Sequence, residues 1–86
     1  MLHIFNQTLA SYKLNQLTIA PGDSILLLSD ACYTALQYQA AFASCKVYAL
    51  EIDLQARSVV STDQLIRISD EQWVELIIAH DTHITW

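Results

Sequence analysis

Glycine and proline are nearly absent: the chain has one of each, adjacent at Pro21-Gly22. A single glycine rules out the glycine-rich loops that cradle phosphates, and with them the common nucleotide-binding motifs. The same scarcity leaves one strong punctuation point, no linker and no second unit, so residues 1–86 read as one domain. Cysteine is equally sparse. Cys32 and Cys45 stand thirteen residues apart, which matches neither a metal-ligand spacing nor a Cys-x-x-Cys redox pair. Positive charge is also short, with four basic side chains against nine acidic ones and a net charge of −5. Lys13, Lys46, Arg57 and Arg67 are scattered, so the clustered cations that direct nucleic-acid binding requires are missing. No apolar run approaches the ~18 residues of a membrane-spanning helix. The first twenty residues, interrupted by His3, Asn6, Gln7, Ser11 and Lys13, lack the core of a signal peptide. A cytoplasmic protein that binds neither nucleic acid nor membrane is the expectation.

What the chain does have is apolar surface in excess. Its 86 residues are 53% hydrophobic and 15% charged. A domain this small buries only about 60–65% of the surface its unfolded chain exposes. Part of the apolar complement must therefore lie outside the core, and without a disulfide framework assembly with partners is the expected source of stability.

The hydrophobic pattern sets out alternating elements. Short apolar runs predict strands at Leu2–Phe5, Ser24–Leu28, Val47–Leu50 and Leu65–Ile68. A helix is expected over about Ser11–Ile19, closed by Pro21-Gly22, and a second over the uncharged stretch Ala31–Cys45. In that second helix Cys32, Ala35, Leu36, Ala40 and Ala43 are assigned to the sheet side, leaving Tyr33, Gln37, Tyr38 and Phe42 for a partner. A turn at Asp53–Arg57 and a polar loop over Ser58–Thr62 precede the fourth strand. Ser69 or Asp70 then caps a last helix, with Glu71 in its first turn. Trp73, Val74, Leu76, Ile77, Ile78 and Ala79 make an apolar arc too wide for one buried face. Asp81–Trp86 follows as a tail, with Ile84 and Trp86 on one side if extended. The alternation predicts an α/β fold, a mostly parallel sheet with helices on both faces and with sites beyond the strands' carboxyl ends.

Chemistry-bearing residues are few. Cys32 falls just after a strand and at a helix start, where a thiol pKa is lowered; packing as a small hydrophobe beside Ala35 and Leu36 is the plainer role. Cys45 is read as structural. His80 and His83 are three apart, but only Asp81 stands near to extend a ligand set, so no metal site is expected. His80 is instead placed against a helix carboxyl end. The pairs Glu51/Asp53 and Asp70/Glu71 lack a nucleophile or base beside them, and the second is accounted for by capping.

Several pieces of the chain, taken in order, resemble the TusB/DsrH family, the B-type subunits of tRNA 2-thiouridine synthesis. They are Met1-Leu2-His3-Ile4, the Pro21-Gly22-Asp23 turn, Asp30 after the second strand, the run Lys46 to Arg57, and Trp86. The resemblance implies a small flavodoxin-like (DsrE/F/H-like) subunit that joins homologous C- and D-type subunits in a dimer of heterotrimers. Such a complex passes persulfide sulfur toward 2-thiolation of the tRNA wobble uridine. The relay cysteine is expected on the D-type partner, so this chain would be a non-catalytic member without cofactor, touching partners through Tyr33, Gln37, Tyr38, Phe42, Trp73, Ile77 and Trp86. An active carrier using Cys32 is the alternative. Sulfur-oxidising H-type relatives carry a cysteine in the first helix, where this chain has Asn15, Gln16 and Leu17. The family's usual glycines are replaced by Ala31 and Ser58.

Overall fold

The computed structural model describes residues 1–59 and 64–86. Strands β1 (Leu2–Phe5), β2 (Ser24–Leu27), β3 (Lys46–Leu50) and β4 (Ile66–Ile68) form at the apolar runs, and a fifth, β5 (His83–Thr85), is added from the expected tail. All neighbours are parallel, in the order β4-β3-β2-β1-β5. The polar loop expected over Ser58–Thr62 lies from residue 60 onward outside the described residues.

Side-chain alternation divides the core in two. Phe5, Ile25, Leu27, Val47 and Ala49 point to one face, and Leu2, Ile4, Leu26 and Leu50 to the other. Both β1 and β2 are buried along their whole length, His3 and Ser24 included, as strands in a sheet covered on both sides should be. The first face carries α1 (Ala35–Ala41) and α2 (Glu51–Ala56) with three short 3-10 segments; the second is covered by α3 (Asp70–Ala79). Strands β1 to β4 step across the sheet in one direction, and the β4–α3–β5 connection returns past β1. Crossovers of constant right hand that run in opposite directions must lie on opposite faces, which is why α3 is separated from the other helices.

Three expectations are corrected. The helix over Ser11–Ile19 does not form; 3-10 turns at Leu9–Ser11 and Leu14–Gln16 take its place. Leu17 and Ile19 both pack against the core, yet two residues apart on an α-helix they would point about 200° from each other. Ser11, Asn15 and Thr18 add little helix propensity to resist the irregular path. The second helix is likewise shorter. A 3-10 segment, Ser29–Thr34, leads into α1, which ends at Ala41. Each 3-10 residue turns the chain about 20° further than an α residue, so the face counted from Cys32 drifts. As a result Tyr38, expected outward, is fully buried, whereas Leu36, expected inward, is 59% exposed. Phe42 is half-buried against the core, and Ala40 and Ala43 are exposed. Finally, the helical turn expected at Asp53–Arg57 starts two residues earlier, as α2 (Glu51–Ala56) directly after β3, with Arg57 as its C-cap.

Local chemistry fixes the termini of α3. Ser69 is its N-cap: the hydroxyl accepts from the Gln72 amide at 3.2 Å while the Gln72 side chain accepts from the Ser69 amide at 2.9 Å. This reciprocal pair satisfies two amides the first turn would leave open. At the far end the His80 ring donates through Nδ1 to the Leu76 carbonyl at 2.9 Å.

Candidate functional site

The carboxyl ends of β2 and β3 are joined by one guanidinium. Arg57 donates through Nε to Asp30 at 3.1 Å, through one terminal nitrogen to the Ser29 hydroxyl at 3.2 Å, and through the other to Asp53 at 3.5 Å. Its carbon lies 5.6 Å from the Tyr33 ring centre. Asp53 also accepts from the Ser29 amide at 2.8 Å. Ser29 sits at φ 53° and Ser58 at φ 52°, left-handed conformations that cost a side-chain-bearing residue energy. With two carboxylates and a hydroxyl on its guanidinium, Arg57 clamps the 3-10 segment after β2 to α2. The sequence carried Asp30, Asp53 and Arg57 as separate motif residues; their convergence depends on the β2–β3 pairing and was not legible in spacing.

Cys32 lies beneath this clamp and is fully buried among Leu27, Ala31 and Ala35. Its sulfur contacts the Leu27 carbonyl at 3.6 Å. Burial, reinforced by the Asp53 carboxylate, pushes the thiol up to about 11. That is the opposite of what a sulfur nucleophile near neutral pH requires. Cys45 is half-buried at the start of β3, with its sulfur 3.6 Å from the Ala20 carbonyl.

Apolar surface is left open on both faces. On α3, Val74 is 56% and Ile78 75% exposed, one turn apart on the same side. With Trp73 and Ile77 they line a groove of about 390 Å³ whose other residues are Ile4, Asn6, Leu28 and Thr85, at the carboxyl ends of β1, β2 and β5. On the first face Tyr33 and Leu36 project from the 3-10 segment and α1, and Ile52 from α2. Of the residues expected to meet partners, Tyr33 and Gln37 are exposed, Trp73, Ile77 and Trp86 are half-buried, and Tyr38 is taken out of the set by full burial. The Tyr38 hydroxyl donates to the Gln7 carbonyl at 2.7 Å, and burial raises its pKa. Val74 and Ile78 emerge as the open pair; the signal for them was the excess width of the apolar arc.

A third arrangement joins β1, β5 and the Pro21-Gly22 turn. His3 is fully buried, with Nε2 2.9 Å from Asp23 and Nδ1 accepting from the Trp86 indole at 3.0 Å. His80 and His83 do not build a cluster: among the described residues no three His, Cys, Asp or Glu side chains come together as metal ligands. No helix of the described residues is long and apolar enough to cross a membrane.

Residues 8–83 match the family described as DsrH like protein. The chain belongs to the DsrH-like (TusB/DsrH) family. Members of this family act in sulfur-relay complexes, which places the chain among sulfur-relay proteins. No curated protein matches it. The five-stranded parallel sheet with helices on both faces is in accord with this DsrH-like membership. So is the conformation of Ser58, which occupies a position where the family's resemblance implies glycine and which adopts a positive φ here. Ala31, the other replacement, sits within the 3-10 segment with no positive φ; Ser29 takes the left-handed conformation instead.

Proposed function

We propose that this DsrH-like chain is a non-catalytic structural subunit of a heteromeric, TusBCD-like sulfur-relay complex. It joins homologous C- and D-type subunits in a dimer of heterotrimers that passes persulfide sulfur toward 2-thiolation of the tRNA wobble uridine. The observation that carries this reading is the open apolar pair Val74 and Ile78 above the α3 groove, a surface suited to another protein. The non-catalytic role is supported by Cys32, whose thiol is buried and raised to about 11. The thiouridine pathway is favoured over sulfur oxidation because no cysteine precedes Cys32 in the chain. A net charge of −5 with scattered cations leaves contact with tRNA to other subunits.

The test is native mass spectrometry of the tagged chain recovered from its own cells. Two small homologous α/β subunits in equal amounts, one with a reactive cysteine, support the proposal. A lone monomer whose Cys32 alkylates rapidly would sink it and favour the carrier alternative.

A further inference from the structure

The outer surface of α3 is divided by charge in a way that bears on what covers its groove. On a helical projection the arc Trp73, Ile77, Val74 and Ile78, which Asp70 enters at the first residue of the helix, is followed directly by Glu71 and Glu75, both exposed and one turn apart. Like charges at this spacing repel and weaken an isolated helix. Among the described residues no cation pairs with either, and only Glu71, in the first turn, gains from the helix's amino-terminal dipole. Helix α3 holds no Lys or Arg, and the salt bridges among the described residues fall on Asp23, Asp30 and Asp53. Arg67 shares a shallow depression with Glu75 on the other flank of the helix but forms no ion pair with it.

We infer that the α3 groove seats an apolar segment of a partner subunit flanked by Lys or Arg side chains that meet Glu71 and Glu75. The proposal rests on the subunit reading above and adds the chemistry of the docking partner. Apolar contact with Val74 and Ile78 supplies the buried centre, and the paired charges at its margin set register and steer association. A second copy of this chain fits poorly. Two-fold contacts bring the same patch against itself, so α3 packed on α3 would set the acidic stripes of two copies side by side.

The experiment titrates the full chain into purified C- and D-type subunits from the same genome, at low and at high salt. Variants E71Q/E75Q, E71K/E75K and V74S/I78S are compared. Neutralisation is expected to weaken association several-fold at low salt and to flatten its salt dependence, and reversal to weaken it by about tenfold or more. In E71Q/E75Q the removed repulsion offsets the lost contact of Glu71 with the helix's amino end, so its melting temperature should stay close to that of the wild type, which separates lost binding from lost folding. V74S/I78S should weaken association at both salt concentrations. Charge variants that bind as the wild type does, with an unchanged salt slope, would overturn the inference and leave the subunit reading standing. Wild-type chain that binds neither subunit would overturn both, and self-association through α3 would overturn the inference.

Discussion

The indole Nε1–H of Trp86 donates to Nδ1 of His3 at 3.0 Å, linking residues 83 positions apart. An indole nitrogen can only donate, so Nδ1 must accept, and the ring proton sits on Nε2, where it reaches Asp23 at 2.9 Å. One hydrogen-bonded chain thereby fixes the imidazole tautomer and ties β5 to β1 and to the turn before β2. Trp86→Phe keeps an aromatic side chain but removes the indole N–H and leaves the buried Nδ1 unpaired. Urea denaturation should show a loss of about 1–2 kcal/mol, and an unchanged midpoint would mean the bond contributes nothing.

Asp23 sets an acid limit on the same network. The hydrogen bond from His3, and after it the Ala20 amide, hold its carboxyl at about 2, below the ordinary 3.8. A folded pKa below the unfolded one gives stability that is complete above the unfolded value and is lost as pH falls from 3.8 toward 2. Stability curves of wild type and Asp23→Asn should therefore differ at neutral pH and converge across that acid window. Parallel curves would remove Asp23 as the cause.

Most of the sheet was legible in the sequence. The three central strands are short apolar runs buried on both faces, and no helix of 3.6-residue period competes for them. The Ser69 cap was readable because a hydroxyl and Gln72 stand at capping-box spacing. Strand β5 was read as a tail, although half-buried Ile84 and Trp86 alternate with exposed His83 and Thr85 as a strand should. Three residues are too few to show a period without the open edge of β1 that recruits them. Tyr38 was misplaced because periodicity assumes one helix type throughout, and a 3-10 segment changes the phase without changing the composition. The α3 surface was half legible: excess apolar width could be seen, but which residues stay open depends on where the helix lands on the sheet.

The two serines at positive φ should respond differently to glycine. Ser58 is exposed and its amide bond to the Gln55 carbonyl, 3.1 Å, is backbone. Ser58→Gly should relieve the left-handed penalty and stabilise the fold by up to about 1 kcal/mol. Ser29→Gly also removes the hydroxyl held by Arg57 at 3.2 Å, so its gain should be smaller or reversed. Thermal melts of both variants decide this, and equal shifts would mean the Ser29 hydroxyl contributes nothing.

The two thiols should separate in kinetics. Cys45 is half-buried and should alkylate with iodoacetamide in the native state at pH 8. Cys32, raised to about 11 and without exposed surface, should react only as fast as the chain opens. Urea should accelerate Cys32 far more than Cys45. Native rates that match would show that the β2–α1 loop opens readily.

Because β1 takes its second neighbour from residues 83–85, the sheet cannot be completed until those residues have been made. During vectorial synthesis β1 to β4 emerge with one apolar face bare; α3 then covers that face and β5 fills the open edge of β1. Long-range pairing of this kind is slow and leaves hydrophobic surface open in the interim. The nascent chain therefore passes through a stage in which a chaperone or an already folded partner has a sheet face to hold.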